Sequence, residues 1–111
     1  MSEWTLVYTE QAERDLRSIF EYIAFSLLKP EIAKNQLRRI MDAVAKLNEM
    51  PLRYHLYEKE PWHSKGLRVL PIDKYLAFYL PVEAKTTVAV IRIMYGGRDI
   101  EEQFWQTEAG V

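Results

Sequence analysis

No cysteine occurs anywhere in this 111-residue chain. That absence removes disulfides, thiol nucleophiles and thiolate metal sites together. Histidine is scarce, at two residues, and neither an HExxH pattern nor a comparable His/carboxylate spacing is present. Metal catalysis therefore has no framework here, and no cofactor is expected. A surplus of one charge is also missing, with 15 basic residues against 16 acidic ones and a net charge of −1. Bulk electrostatic binding to nucleic acid shows as a basic excess, so only a local basic patch would serve. There is no apolar run long enough to span a bilayer. The opening MSEWTLVYTEQ lacks a basic n-region leading into an apolar h-region, so no signal peptide is expected. A cytoplasmic location is the simplest expectation.

What is there is ordinary for a folded protein: 49% hydrophobic and 28% charged residues, which argues against disorder. The length suits one domain over residues 1–111 with a modest core. Residues 4–8 (WTLVY) are β-branched and aromatic and read as a short strand. Thr9 suits an N-cap, with Glu10 favourable at the positive end of the helix dipole. Ala12, Leu16, Ile19, Phe20, Ile23 and Leu27 then recur at helical spacing. Leu28-Lys29-Pro30 breaks that helix, and Pro30 suits the first turn of a second one. There Ala33, Leu37, Ile40, Val44 and Leu47 form a seam that needs an apolar partner. The short break makes the first helix that partner, in an αα-hairpin. Pro51 ends the second helix.

Residues 52–65 read as a loop rich in aromatics and charge. Strands are expected at 66–70, 75–80 and 87–95, with 71–74 a tight connection and 81–86 a polar turn. Connections this short imply an antiparallel meander. Prolines stand at 51, 61, 71 and 81, but the intervening residues do not match, so there is no repeat. Residues 99–107 have the pattern of a short final helix, with Asp99 and Glu102 at capping-box spacing. The fold class is α+β, in the order β-α-α-β-β-β: a small, mostly antiparallel sheet on a helical hairpin, with a possible C-terminal helix. The second sheet face would be covered in part, if at all.

Alternation in the last strand sets Ala89, Ile91, Ile93 and Tyr95 on one face, expected to pack on the helices. Val88, Val90, Arg92 and Met94 fall on the other, open face. Arg68 is likewise a lone cation among apolar neighbours. Two arginines on one open face would bind an anion; each pairing with a nearby carboxylate, or snorkelling to water, is the plainer alternative.

Four stretches carry a family resemblance: VYTEQAERDLRSIFEYI, LNEMP, GLRVLPIDKYLAFY and VIRIMYGGRD. With the order of elements, they resemble the RelE/ParE toxins of type II toxin–antitoxin systems over about residues 5–104. The closing motif is more like the ParE side. The resemblance implies a toxin that arrests growth and is neutralised by a cognate antitoxin in a hetero-oligomer. Its target would be DNA gyrase for a ParE-like member, or ribosome-bound messenger RNA for a RelE-like one. An inactive homologue that keeps only antitoxin binding is a third reading, since a fold does not fix a function.

The two targets ask for different residues. RNA cleavage without metal needs a base for the 2′-hydroxyl, an acid for the leaving oxygen and cations on the phosphate. Cation candidates are Arg53, Lys65, Arg68, Arg92 and Arg98. Proton-transfer candidates are Tyr95, His55, His63 and Glu58, and RNA-cleaving relatives often carry a tyrosine or histidine where Tyr95 stands. Gyrase inhibition needs no catalytic group, only exposed anchors. Tyr54, Tyr57, Trp62, Arg98, Phe104 and Trp105 are the candidates, though the aromatics would equally complete the core. An antitoxin segment is expected to fold onto the helical hairpin and a sheet edge, where its acidic residues would meet Arg92 or Arg98.

Overall fold

Strand β1 (Thr5–Tyr8) turns into helix α1 (Glu10–Glu21) at Thr9, whose hydroxyl accepts from the Ala12 N–H at 3.1 Å. The computed structural model describes residues 3–97 and 100–105. Helix α1 widens into a π-helical turn at Tyr22–Ser26, and α2 (Pro30–Ala45) follows with Pro30 at its start. A single helical turn, α3 (Trp62–Lys65), precedes β2 (Arg68–Ile72), β3 (Tyr75–Val82) and β4 (Thr87–Tyr95). The last described element is the short helix α4 (Ile100–Trp105). The expected order holds, with α3 added inside what reads as loop. The Asp99 part of the expected capping box lies outside the described residues.

The sheet runs β1-β4-β3-β2, with β1 parallel to β4 and the other pairs antiparallel. Several strand boundaries depart from the sequence expectation, β1 beginning at Thr5 rather than Trp4 and β2 at Arg68 rather than Gly66. Pro71 and Ile72 belong to β2 and not to a connection, and Pro81 and Val82 extend β3. A proline inside a strand is tolerated where no neighbour needs its N–H. Pro71 is on the edge strand, and Pro81 lies beyond Tyr79, the last β3 residue paired with Arg68 of β2. The turn that remains is Asp73-Lys74, with Asp73 at φ 55°. Arg39 (2.6 Å) and Gln36 (3.0 Å) of α2 donate to the Asp73 carboxylate and tie that turn to the helix layer.

Both faces of the sheet are covered. On one, Ala12 and Leu16 of α1 and Ile40 and Val44 of α2 pack against Leu70, Ile72, Ala77, Tyr79, Val88, Val90 and Ile93. This is the expected helical layer. The other face is not open, contrary to expectation. Phe104 of α4 and Trp62 of α3 close over Leu67, Phe78, Ile91 and Met94. Their rings interlock: Phe104 stands 4.8 Å from Phe78, 5.1 Å from Trp62 and 5.4 Å from Tyr57. Edge-to-face and tilted rings at such distances are favourable beyond their area alone.

The face assignment of β4 is corrected for half the strand. Val88 and Val90 pack with the helices, while Ala89 and Ile91 pack under α4. Ile93 is on the helix side and Met94 on the α4 side, as alternation from the far end predicts. The cause is a bulge. Phe78 pairs with Arg92 and Tyr79 with Val90, so Ile91 is an extra residue between them. One extra residue exchanges the faces across it, and strict alternation cannot register that.

Candidate functional site

Beyond Tyr8, β1 has no more residues to pair with β4, and the head of α1 takes over. The Thr9 N–H donates to the Val90 carbonyl (3.0 Å) and its hydroxyl to the Ile91 carbonyl (2.9 Å). Six residues on, the Asp15 carboxylate accepts from the Ile93 N–H at 2.9 Å. The same carboxylate receives Arg92 through Nε (2.8 Å) and Nη2 (2.9 Å), a bidentate pair with both side chains largely buried. Arg92 also donates to the Gln103 carbonyl at 3.3 Å. Arg92 is thus a strut between α1, β4 and α4.

Arg68 does comparable work elsewhere. It donates to the carbonyls of Leu52 (3.0 Å) and Tyr54 (2.6 Å), pinning the loop before α3 to the start of β2. The anion-binding pair of arginines on one face, the less plain of the two readings, is not formed. Arg68 stands opposite Tyr79 and Arg92 opposite Phe78, and these consecutive residues belong to the two different faces.

The remaining candidates separate in the same way. Trp62 and Phe104 are buried and Tyr57 half-buried, all in the α4-side core, so they are not exposed anchors in this chain. Tyr54 is half-buried against the helix-side core, with the Arg53 guanidinium 5.2 Å from its ring centre. Lys65 lies 5.1 Å from the Trp62 ring. His55 is exposed, and its carbonyl accepts from Val69. His63 sits 3.7 Å from Glu60, whose carboxyl is held below the usual range by the hydroxyl and backbone N–H of Ser64. Glu58 is exposed. Arg98 and the Trp105 side chain lie outside the described residues.

Tyr95 is different. It is 44% exposed, and its ring meets Tyr75 edge-on at 5.8 Å. Two glycines follow it in close quarters, where a Cβ on Gly96 would stand 3.2 Å from the Lys74 carbonyl oxygen. Gly96 donates to the Lys74 carbonyl at 2.8 Å, and a Cβ on Gly97 would stand 2.7 Å from the Tyr95 ring. Tyr95 lines a groove of about 560 Å³. One wall is Ile19, Tyr22, Ile23 and Leu27 from the end of the first helix, with Ile32 of α2; the other is Tyr75, Ile93, Met94 and Tyr95. Lys29 and Lys74 stand at the groove with Asp15, whose charge Arg92 already occupies. Burial and the neighbouring Tyr95 and Tyr22 push the Tyr75 hydroxyl up, so it remains a protonated donor well above neutral pH.

The tip of the hairpin continues this apolar surface. Tyr22, Phe25, Leu27, Leu28 and Ile32 are all exposed, Leu28 at 80%. Leu28 is left-handed at φ 57°, in a bend closed by Leu27 N–H to Tyr22 O and Lys29 N–H to Ile23 O, both 3.0 Å. A leucine pays for that conformation where glycine would not. Sequence reading places Ile19, Ile23 and Leu27 on a core stripe and does not single out this groove. The available signal is density: IFEYIAFSLL carries more large apolar residues than one helix face can bury.

The family model of the ParE toxin of type II toxin–antitoxin systems, parDE, matches residues 6–100. The chain belongs to that toxin family. Its fold is similar to the chromosomal ParDE toxin–antitoxin system from P. aeruginosa, at TM-score 0.70 and 23% identity, covering 84% of this chain and 96% of that one. It is also similar to the RelBE2 toxin–antitoxin complex from Mycobacterium tuberculosis, at TM-score 0.62 and 22% identity, covering 84% and 98%. No curated protein gives a significant sequence match.

Proposed function

We propose that this toxin acts in the cytoplasm by binding and inhibiting DNA gyrase, and that a cognate antitoxin neutralises it through the hairpin groove. The observation that carries the gyrase reading is the fate of the cations. Phosphate chemistry needs positive charge converging on one point. Here Arg92 is committed to Asp15, and Arg68 holds a loop on the other sheet face. His55 and Tyr95 lie in different regions, on the loop before β2 and at the end of β4. Binding asks for less, and an exposed apolar surface rimmed by lysines supplies it.

One observation favours RNA cleavage as a second reading: Tyr95 is accessible beside Lys74 in the groove. Induction of the toxin alone, with plasmid supercoiling and message integrity followed together, separates the two. Loss of supercoiling with intact messages is expected. Early message cutting with supercoiling unaffected would overturn the gyrase reading, and Tyr95→Phe would then lower cutting. An inert homologue would produce neither effect.

A further inference from the structure

The outer side of β1 is the bare part of the sheet. Thr5 and Thr9 turn their N–H groups inward, to the carbonyls of Thr86 and Val90. Backbone groups alternate between the two sides of a strand, so Leu6 and Tyr8 point their N–H and C=O outward. Among the described residues nothing pairs with them on that side. The opening is short. The Trp4 N–H is already given to the Asn48 carbonyl at 2.9 Å, and α1 begins at Glu10. Side chains sharpen the picture. Leu6 and Tyr8 pack into the helix-side core, whereas Val7 is 47% exposed. A strand edge that stays solitary is protected by lysine, proline or a bulge. The sequence of β1, TLVY, carries no charge and no proline.

We infer that two copies of this chain pair through β1, antiparallel, about a two-fold axis at Val7. Leu6 then lies opposite Tyr8 of the second copy and exchanges both hydrogen bonds with it, and Tyr8 does the same with that copy's Leu6. The two Val7 side chains meet at the axis as a non-hydrogen-bonded pair, where opposing side chains stand closest. Every outward group of the open stretch is used on both copies. A longer foreign strand gains nothing more, because past Trp4 it runs into Asn48 and past Tyr8 into the head of α1. Charge complementarity favours the second copy as well. The register sets Trp4 opposite Glu10 of the second copy, which brings the turn Lys46–Asn48 beside that copy's acidic helix head, Glu10 and Glu13. Lys46 is exposed and has no carboxylate partner among the described residues. The hairpin groove is a separate surface, since it gathers at residues 93–95 of β4 while β1 pairs with residues 87–90.

The chain has no cysteine, so single cysteines in the full chain report the register directly. Val7→Cys places the two thiols at the axis, with Cα atoms about 4.5 Å apart, within disulfide reach. Thr5→Cys, also exposed, is the control, because its two copies lie about 14 Å apart along the pair. Under mild oxidation Val7→Cys is expected to form covalent dimers at least about tenfold faster than Thr5→Cys. Sedimentation of the unaltered chain is expected to show a dimer whose share rises with concentration. Val7→Lys, checked for an unchanged helical circular dichroism signal, is expected to sediment as a monomer. Equal cross-linking of the two cysteine variants would overturn the inference. So would an unaltered chain that stays monomeric at every concentration, or a dimer that survives Val7→Lys.

Discussion

At the residue scale, the most consequential side chain is Asp15, which no motif announces. It closes the free edge of β4 and neutralises Arg92 with one carboxylate. Removing it leaves a largely buried guanidinium and a backbone N–H without their acceptor. Asp15→Ala should cost about 3 kcal/mol in denaturant unfolding, and Arg92→Met made alongside it should recover part of that loss. Additive effects would mean the two side chains are not coupled. Leu28 makes the opposite forecast. Leu28→Gly relieves a left-handed backbone and should leave stability unchanged or raise it by about 1 kcal/mol, yet weaken capture of the partner. Arg92 and Arg68 were legible as unusual positions, and pairing with a nearby carboxylate was the plainer alternative that Arg92 follows. Asp15 was not legible, because an acid spaced among Arg14, Arg17 and Glu13 looks like any solvated helix face.

At the element scale, α4 is the piece whose role changes most. Its periodicity predicts a helix, but nothing local says that it roofs the second sheet face. Phe104 enters a cluster with Tyr57, Trp62 and Phe78. Phe104→Ala should lower unfolding free energy by about 3–5 kcal/mol and raise exposure of the Trp62 indole, seen as a red shift in fluorescence. A near-silent substitution would mean α4 does not pack there in solution. The helices, the meander and the hairpin were readable from period and punctuation. The Ile91 bulge was not, since an extra residue is defined by its partner strand and leaves no mark in its own. Composition leaves the aromatics of residues 52–65 equally suited to exposed anchors and to core. They turn inward because the neighbouring face of the sheet needs cover.

At the scale of the molecule, titration links the core to folding. The Tyr79 hydroxyl is buried and donates to the Pro51 carbonyl at 2.5 Å, and burial pushes its pKa up to about 12. In the unfolded chain a tyrosine ionises near pH 10. Below that pH both states hold the proton and the linkage is silent. As pH rises from about 10 toward 12, the unfolded chain loses the proton that the folded one keeps, so stability falls. Tyr8 and Tyr75 are raised in the same direction and add to the slope. Denaturant midpoints taken from pH 9 to 11.5 should decline, and Tyr79→Phe should flatten the decline only in part while lowering stability at neutral pH. A slope unchanged by that substitution would mean Tyr79 does not contribute.

The way α1 completes the work of β1 has a consequence for how many chains can join edge to edge. Thr9 and Asp15 occupy the polar groups of β4 from Val90 to Ile93. At the opposite margin, residues 55–57 lie against the start of β2, and Pro71 offers no donor further along. A growing ladder needs two open margins on every subunit, one to receive and one to offer. Among the described residues this sheet keeps a single short one, the outer side of β1, only four residues long. Strand exchange between copies would therefore stop at a pair and could not propagate, so the toxin can keep its apolar hairpin tip exposed without also seeding a fibre through its sheet.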